Sequence, residues 1–426
     1  MKVLMLSWEF PPFNVGGISQ HVYELSRAMV EQQIEVHVIT NASSPPYEEE
    51  MDGIKVHRVL PYHGNPVNFL SWVHQFNFAM MERGASLLNR EPGFKIIHAH
   101  DWLTAYAARG LKHIFHLPLI STVHATEYGR NGGLFTEEQK FIGEVEWWLT
   151  FEAWKIICCS GFMEEEVKGL FNLPDDKIRV IPNGIRPAAF QVDETDYELK
   201  ERFIPEGEKP VFFVGRLVRE KGVQYLLQAL PLIREHIPEA RLIVAGTGPH
   251  EEELRRLCTS MGLEDYVHFV GYIDNHTRNQ LYHLSSVAAF PSLYEPFGLV
   301  ALEAMAAETP AVVGDVGGFR EVVRHGVNGL RALPGNAEHL AEQIIHLLST
   351  PGLSEKLREN ASRDIRDKYS WKGVAQSTVS LYREILSRPE AEEWLRMAGK
   401  DGSLHRSASE TGEESYRRAR RDMPVS

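Results

Sequence analysis

The sequence contains few cysteines, fewer basic than acidic residues, and no long apolar run. Its 3 cysteines in 426 residues show neither CxxC spacing nor an even number, so we expect a reducing compartment. The 45 lysines and arginines are outnumbered by 58 acidic residues, giving a net charge of -13. This charge disfavours nucleic acid as a partner, because such affinity comes largely from neutralising phosphates. It also argues against docking on an anionic membrane.

Membrane insertion and secretion are equally unsupported by the residue pattern. No stretch reaches the roughly 20 apolar residues that a membrane span needs. The first residues, MKVLMLSWEFPP, have one lysine, a short apolar run and no small-residue cleavage site. They are typical of a buried strand rather than of a signal peptide. We therefore expect a cytoplasmic protein without integral membrane association.

What the sequence does contain is a repeated alternation of short apolar runs with amphipathic segments. The first series of predicted strands is KVLMLSW, IEVHVIT, FKIIHAH, LPLISTVHA, KIICCS and IRVIPNG, and the second is PVFFVGR, RLIVAG, VHFVGY, VAAFPS and PAVVGD. Such alternation is typical of parallel sheets covered by helices on both faces. We therefore predict an α/β fold with two doubly wound, Rossmann-like domains facing across a cleft.

A stretch rich in proline and charge separates the two series and marks a domain boundary near residues 184–209. We assign 1–187 to an N-terminal domain and 188–370 to a C-terminal domain. Residues 371–387 are predicted to form a helix that crosses back to the N-terminal domain. Residues 388–426 are polar and of mixed charge, which predicts a disordered tail, with a regulatory arm as the alternative.

Ligands of open parallel sheets bind at the carboxyl ends of strands, so the loops there are candidate sites. The loop EFPPFNVGG ends in Gly16 and Gly17 at a helix start, where paired glycines let the backbone approach a ligand. The alternative is an ordinary tight turn. After VFFVG, Arg216 and Lys221 supply two cations that suit a diphosphate, unless the turn is simply solvated. Neither this region nor AGTGPHEEEL has the third glycine of a dinucleotide fingerprint.

The stretch EPFGLVALE places Glu295 just before a predicted helix and Glu303 inside it. Gly298 and Leu299 then lie in the first turn, where unpaired amides and the helix dipole favour a phosphate. The two carboxylates could reach one elongated ligand at different places, because each accepts hydrogen bonds from sugar hydroxyls. The alternative, an exposed Glu303 on the helix surface, disagrees with its apolar neighbours, beside which an unpaired carboxylate is costly.

Histidines follow two other predicted strands. IIHAHDW places His98, His100 and Asp101 at one strand end, and STVHATEYG places His124 at another. The His-x-His spacing suggests a metal, yet no third ligand at a fixed spacing is evident. A single histidine in such a position is more often structural. We therefore expect no metal site.

These motifs together resemble those of a known enzyme family. The paired glycines, GRL…KG, PNG and EPFGLVALEAM are similar to those of retaining glycosyltransferases with the GT-B fold, in the large glycosyltransferase family 4. The resemblance spans residues 1–387, and HAHDW with TVHATEYG favours archaeal-type glycogen synthase and starch synthase-like members. It implies transfer of a hexose, expected to be glucose, from a UDP-, ADP- or GDP-sugar to a glycan or small sugar acceptor. It implies neither cofactor nor metal.

The resemblance also implies a role for each matching residue of the C-terminal domain. Arg216 and Lys221 would neutralise the donor diphosphate and so take part in catalysis. The amides of Gly298 and Leu299 would hold phosphate as well. Glu303 would bind the ribose hydroxyls of the donor.

The donor sugar itself would lie between the domains. Glu295 would face it near the reacting carbon, and His124 would lie close to the same catalytic centre. Gly16 and Gly17 would approach the donor from the N-terminal domain. The resemblance implies reaction on one face of the sugar, with a phosphate oxygen assisting the incoming hydroxyl.

Two positions depart from the glycogen synthase pattern. Asn14 stands where those enzymes have lysine before the paired glycines, and Arg186 stands where the frequent NGID motif has an acid. The alternatives are a glycolipid or other mannosyl- or glucosyltransferase of the same family and a nucleotide-sugar epimerase of the same fold. A third alternative is a catalytically silent subunit that binds nucleotide-sugar.

Overall fold

The β-branched apolar runs and amphipathic segments of the chain fold into two separate α/β sheets. The computed structural model describes residues 1–13, 16–43, 45–62 and 66–397. The prediction for Asn14 and that for the tail from residue 398 onward lie outside these residues. The two sheets confirm the predicted α/β class with two doubly wound units.

The first sheet has strand order β3-β4-β2-β1-β5-β6-β7-β8. Neighbouring strands pair in parallel except β3 and β4, which are antiparallel. Their bounds are β1 (Lys2–Leu6), β2 (Glu35–Asn41), β3 (Tyr47–Met51), β4 (Ile54–Val59), β5 (Phe94–His100), β6 (Leu119–Val123), β7 (Lys155–Cys158) and β8 (Ile178–Val180).

The second sheet is parallel throughout, in the order β11-β10-β9-β12-β13-β14. Its central strands are almost completely buried, as expected for strands with helices on both faces. Their bounds are β9 (Lys209–Val214), β10 (Ala240–Ala245), β11 (Val267–Gly271), β12 (Val287–Phe290), β13 (Ala311–Gly314) and β14 (Leu330–Ala332).

Helices cover both faces of each sheet and contribute most of the apolar side chains that pack on it. In the first unit they are α1 (Gly17–Val30), α2 (Phe69–Arg90), α3 (Ala105–Phe115), α4 (Glu127–Asn131), α5 (Glu137–Glu152) and α6 (Gly161–Phe171). In the remainder they are α7 (Tyr197–Phe203), α8 (Val223–His236), α9 (Glu251–Ser260), α10 (Asn275–Leu284), α11 (Leu299–Ala306), α12 (Phe319–Val322), α13 (Ala337–Ser349), α14 (Leu353–Lys368) and α15 (Trp371–Leu386). None of the described helices has both the length and the apolar character needed to cross a membrane.

The antiparallel hairpin β3-β4 was not predicted from the sequence. Its turn is formed by Asp52 and Gly53, both in the left-handed region with φ of 51° and 78°. An Asp-Gly pair at this position is the usual signal of a two-residue hairpin turn. The strand YEEEM is mostly exposed and lacks an apolar period, so periodicity alone could not identify it.

The helix at the end of the second unit lies against the first. Trp371, Ala375 and Tyr382 of α15 are buried in one cluster with Val22 and Leu25 of α1.

The tail differs from the predicted disorder at its start. Residues 389–397 are helical, because their apolar side chains find a surface: Ala391 is buried and the Trp394 ring packs 4.9 Å from that of His116.

Candidate active site

Two helix N-termini approach each other between the sheets. A side chain on Gly17, the first residue of α1, would bring its Cβ to 3.0 Å from Leu299 Cδ1 in α11. Neither helix has a side-chain cap: Gly16 precedes α1 in extended conformation, and Gly298 precedes α11 with a φ of 106°. The predicted glycine pair and the predicted phosphate-binding turn therefore lie together across one cleft, with free amide groups on both sides.

Glu9 holds the glycine loop in place, and sequence reasoning did not single it out. Its Oε2 accepts a hydrogen bond from the Gly16 amide at 2.9 Å, and its side chain is almost fully buried. The Glu9 carbonyl accepts from Ser7 Oγ at 2.7 Å. The loop after β1 is thus fixed by a carboxylate at the carboxyl end of the sheet. The signal in the sequence is the acid between the first strand and the two prolines.

Lys221 and Glu295, which were predicted as separate contacts, form one ion pair. Lys221 Nζ lies 2.8 Å from Glu295 Oε2, and Ser292 Oγ donates to the same oxygen at 3.1 Å. The carboxylate side chain is 9% exposed and the lysine side chain 23%. A ligand beside this ion pair would meet a positive and a negative group side by side.

Arg216 lies beside this pair with a half-exposed side chain. Its nearest acid is Glu220, whose Oε1 is 3.8 Å from Arg216 Nη2. Burial lowers the pKa of the Arg216 guanidinium, and the positive charge of Arg130 lowers that pKa further. Arg130 belongs to α4 of the first unit, so a cation from each unit faces the cleft. Sequence reasoning missed Arg130, although it follows the strand end that carries His124.

Glu303 lies farther along α11 and already has protein partners. Tyr282 donates its hydroxyl to Glu303 Oε2 at 3.2 Å, and Arg278 Nη1 is 3.6 Å from Oε1. The carboxylate side chain is 15% exposed. The phenol of Tyr282 and the guanidinium of Arg278 therefore compensate the cost of placing the Glu303 carboxylate in apolar surroundings. The remaining acceptor positions of the carboxylate stay available.

His124 is fixed by the strand end next to it. Asp101 Oδ1 accepts a hydrogen bond from the His124 amide at 2.7 Å, and Asp101 adopts a left-handed φ of 59° to do so. His124 Nε2 is 3.1 Å from His100 Nδ1. Burial and the Arg130 charge lower the pKa of His124 to about 3. The ring is therefore neutral near pH 7 and suited to hydrogen bonding rather than to proton abstraction.

A buried carboxyl with a raised pKa lies close to Asp101. Burial raises the pKa of Glu146 to about 8, and its Oε1 accepts from the Glu127 amide at 2.9 Å. Its Oε2 is buried without a hydrogen-bond partner in the described part of the chain. Burial also raises the pKa of Asp101 to about 6. Glu146 was not identified from the sequence, whereas Asp101 was named there with the histidines at its strand end.

The loop that carries Glu295 is held against the first unit on both of its flanks. Tyr294 donates its hydroxyl to Glu166 Oε1 at 2.8 Å, and Ser160 Oγ donates to the Pro296 carbonyl at 2.6 Å. Glu321 accepts hydrogen bonds from the first two amides of α6, at 3.1 and 2.9 Å. The candidate site is therefore completed only when both units are in contact.

Arg186, one of the two departures from the family pattern, has a local partner. Its guanidinium contacts the carboxylate of Glu24 on α1. The arginine therefore links the segment between the two units to the helix that begins at Gly17. The substitution has a structural reason in this chain that does not involve the cleft.

Two protein families match this chain, one over each half. Residues 15–189 match the family described as Glycosyltransferase Family 4, and residues 195–364 match Glycosyl transferases group 1. An uncharacterised glycosyltransferase of Methanocaldococcus jannaschii is 39% identical over 388 residues, which are 90% of this chain and 98% of that protein. The chain belongs to glycosyltransferase family 4.

A curated relative and a solved structure are also similar to this chain over about nine tenths of its length. The glycogen synthase of Mycobacterium tuberculosis is 33% identical to this glycosyltransferase over 400 residues, covering 90% of this chain and 94% of that one. The structure of sucrose-phosphate synthase from Thermosynechococcus elongatus matches with a TM-score of 0.77 at 25% identity, covering 91% and 99% of the two chains. The GT-B fold and the family predicted from the motifs are confirmed.

Proposed function

We propose that this glycosyltransferase moves a hexose from a nucleoside diphosphate sugar to a glycan or small sugar acceptor, with retention at the anomeric carbon. Glucose is the expected hexose. The observation that carries the proposal is the Lys221–Glu295 ion pair, 2.8 Å long, at the uncapped start of α11 and opposite Gly17. The identity to a glycogen synthase, 33% over 90% of this chain, favours a glucan acceptor.

Positive groups at the cleft support a diphosphate. Arg216 has a half-exposed guanidinium, Lys221 has a partly exposed ammonium, and Arg130 faces them from the other unit. The amides of Gly298 and Leu299 add the positive end of a helix dipole. These groups can balance the charge of a leaving diphosphate, so the proposed reaction needs neither a metal ion nor another cofactor.

The carboxylate of Glu295 is the proposed contact with the donor sugar. Lys221 and Ser292 fix one of its oxygens, which orients the other toward the cleft. A negative group at this position would stabilise positive charge that develops at the anomeric carbon during transfer. Its ion pair with a proposed phosphate-binding lysine suits electrostatic stabilisation better than nucleophilic attack. This fits reaction on one face of the sugar, with a phosphate oxygen assisting the acceptor hydroxyl.

The carboxylate of Glu303 is the proposed contact with ribose. Tyr282 and Arg278 each approach one of its oxygens, so the side chain is already oriented. A carboxylate has about four acceptor positions, and two neighbouring ribose hydroxyls would use those that remain. His124, neutral near pH 7, would accept or donate one hydrogen bond at the sugar.

The test is product analysis with UDP-, ADP- and GDP-glucose, each incubated with and without short glucans. We expect acceptor-dependent transfer, and proton NMR of the new linkage showing the anomeric configuration of the donor. One nucleotide should also stabilise the protein by about 2.7 kcal/mol at a hundred times its dissociation constant. Formation of an epimerised sugar without acceptor, or of an inverted linkage, would contradict the proposal.

A further inference from the structure

Histidines from three elements meet beneath the cleft, where the sequence alone indicated no metal site. His21 comes from α1, His100 ends β5, and His124 follows β6. One ring nitrogen of each lies within 4.8 Å of one ring nitrogen of the other two. Their ring centroids are 4.7 to 5.4 Å apart. Of the His-x-His pair only His100 belongs to this cluster, and the topology brings His21 and His124 to it from two other elements.

The tautomer of His21 follows from its hydrogen bond. Its Nδ1 lies 2.6 Å from Asn183 Oδ1, an oxygen that can only accept, so Nδ1 carries the proton. Its Nε2 therefore presents a bare lone pair, buried and without a hydrogen-bond partner among the described residues. An unpaired buried acceptor is unfavourable, because it has lost the hydrogen bonds that water would supply.

The same arrangement is typical of a metal-binding histidine. Such a residue donates its other ring N–H to an oxygen, which fixes both the tautomer and the ring orientation. Asn183, itself buried, provides that oxygen for His21. His100 Nε2 is a second buried ring nitrogen without a partner within the described ranges. His100 faces His124 through its other nitrogen, Nδ1, so the unsatisfied nitrogen that indicates a ligand inside the cluster is His21 Nε2.

The distances are also compatible with coordination. His100 Nδ1 and His124 Nε2 are 3.1 Å apart. Nitrogen ligands at 2.0–2.1 Å from a tetrahedral Zn²⁺ lie about 3.3 Å from one another. Replacing this hydrogen bond by two metal–nitrogen bonds would therefore require little movement of either ring.

We propose that His21, His100 and His124 form a binding site for a borderline transition-metal cation such as Zn²⁺. Three neutral imidazoles suit Zn²⁺ or Co²⁺, whereas Mg²⁺ and Ca²⁺ prefer oxygen ligands. His124 is the partly exposed member, so the ion enters from the cleft and keeps its fourth position there. The Asp101 carboxylate beside His124 offsets the charge of the ion, and Arg130 opposes it.

Arg216, Lys221 and the first amides of α11, proposed for the diphosphate, are not members of this cluster, and transfer does not require its occupation. A consequence rests on the proposed function: an ion coordinated by His124 would add positive charge beside the proposed donor sugar, so Zn²⁺ would inhibit transfer. Metal binding is measured without donor or acceptor. Its failure is therefore distinguishable from failure of the glycosyltransferase proposal.

The test is a titration of the chelator-treated full chain with Co²⁺, followed by its visible absorption. We expect the bands of a four-coordinate nitrogen site to saturate at one Co²⁺ per chain. His21→Gln should weaken binding at least tenfold, and Asn183→Ala should weaken it by about 10–100-fold. His276→Gln is the matched control, because it removes an imidazole whose side chain is 66% exposed and lies outside the cluster. This control should bind Co²⁺ like the parent.

Equal binding by the parent and His21→Gln would overturn the proposal, as would absence of the bands in the parent. If His21→Gln does not fold, NMR of the parent with ¹⁵N-labelled imidazoles takes the place of that variant. One equivalent of Zn²⁺ should then shift ring nitrogens of His21, His100 and His124 together. Unshifted resonances would show that the cluster serves packing alone.

Discussion

Replacing Glu295 and Glu303 by glutamine should impair different steps of the reaction. Glu295→Gln removes the negative charge proposed to face the sugar, where positive charge grows only in the transition state. We expect kcat to fall about 10–100-fold, which corresponds to the 1.5–3 kcal/mol of a charged hydrogen bond. Glu303→Gln weakens a ribose contact that is the same before and during reaction. We expect donor KM to rise with little change in kcat.

The structure also sets the expected stability changes. In Glu295→Gln, Lys221 loses the negative charge of its partner at 2.8 Å, but its side chain is 23% exposed and stays partly hydrated. We expect a loss of about 1–3 kcal/mol, since glutamine can still accept from Ser292 and Lys221. In Glu303→Gln, the Tyr282 hydroxyl keeps the Val300 carbonyl at 3.3 Å as an acceptor. The loss should therefore be about 1 kcal/mol or less.

The assay combines initial rates over donor concentration, affinity for the nucleoside diphosphate, and thermal unfolding. A loss of 1 kcal/mol should lower Tm by about 2–4 °C in a domain of this size. Glu295→Gln should bind the diphosphate as well as the parent does, because the protein groups proposed to bind phosphate are cations and backbone amides. If both variants turn over donor like the parent, the site assignment is wrong. If Glu303→Gln only lowers Tm, its role is confined to the contact with Tyr282 and Arg278.

Three further predictions concern metal, backbone and pH. Chelator treatment should not lower donor turnover; loss of activity restored by a divalent ion would refute the charge balance proposed here. Gly298→Ala should lower unfolding free energy by about 1–2 kcal/mol because of its φ of 106°, and its Cβ would also meet Phe319 at 2.5 Å. Gly169→Ala, inside α6 with open space around it, is the control and should not lower Tm. Burial raises the pKa of Glu146 from 4.5 to about 8, so this stabilising proton is lost as pH rises through 8. Glu146→Gln should reduce the fall in Tm between about pH 5 and 8; an identical pH profile would contradict this.

Buried strands were the part of the fold that the sequence predicted best. A parallel strand with helices on both faces needs apolar side chains on both faces, so VFFVG appears as one continuous run and becomes β9. The exposed edge strand β3 has no such requirement, and its three consecutive glutamates resemble a loop. Only the Asp52–Gly53 turn indicated it.

The site was predicted in pieces rather than as a whole. The predicted candidates lie at strand ends, because ligands of open parallel sheets bind at the carboxyl ends of strands. That tendency does not say which loops touch one another. The Lys221–Glu295 pair spans 74 residues, and the contact of His21 with Asn183 spans 162. His21 and Arg130 lie on helices rather than in the loops that were searched. Their relation to the cleft depends on how the helices pack, which local pattern does not encode.

The contacts between the units place a physical limit on how the proposed reaction proceeds. Tyr294 and Pro296, on either side of Glu295, are bonded to Glu166 and Ser160 of the first unit. Together with the two amides on Glu321, these are four hydrogen bonds that opening must break. At about 0.5–1.5 kcal/mol net for each, these bonds contribute roughly 2–6 kcal/mol to closure, which the lost freedom of the two units opposes. A donor can strengthen closure only through groups that it touches on both sides, such as Arg130 and Arg216, since a ligand shifts an equilibrium by its differential affinity. The same contacts that orient Glu295 therefore oppose the opening through which a product must leave.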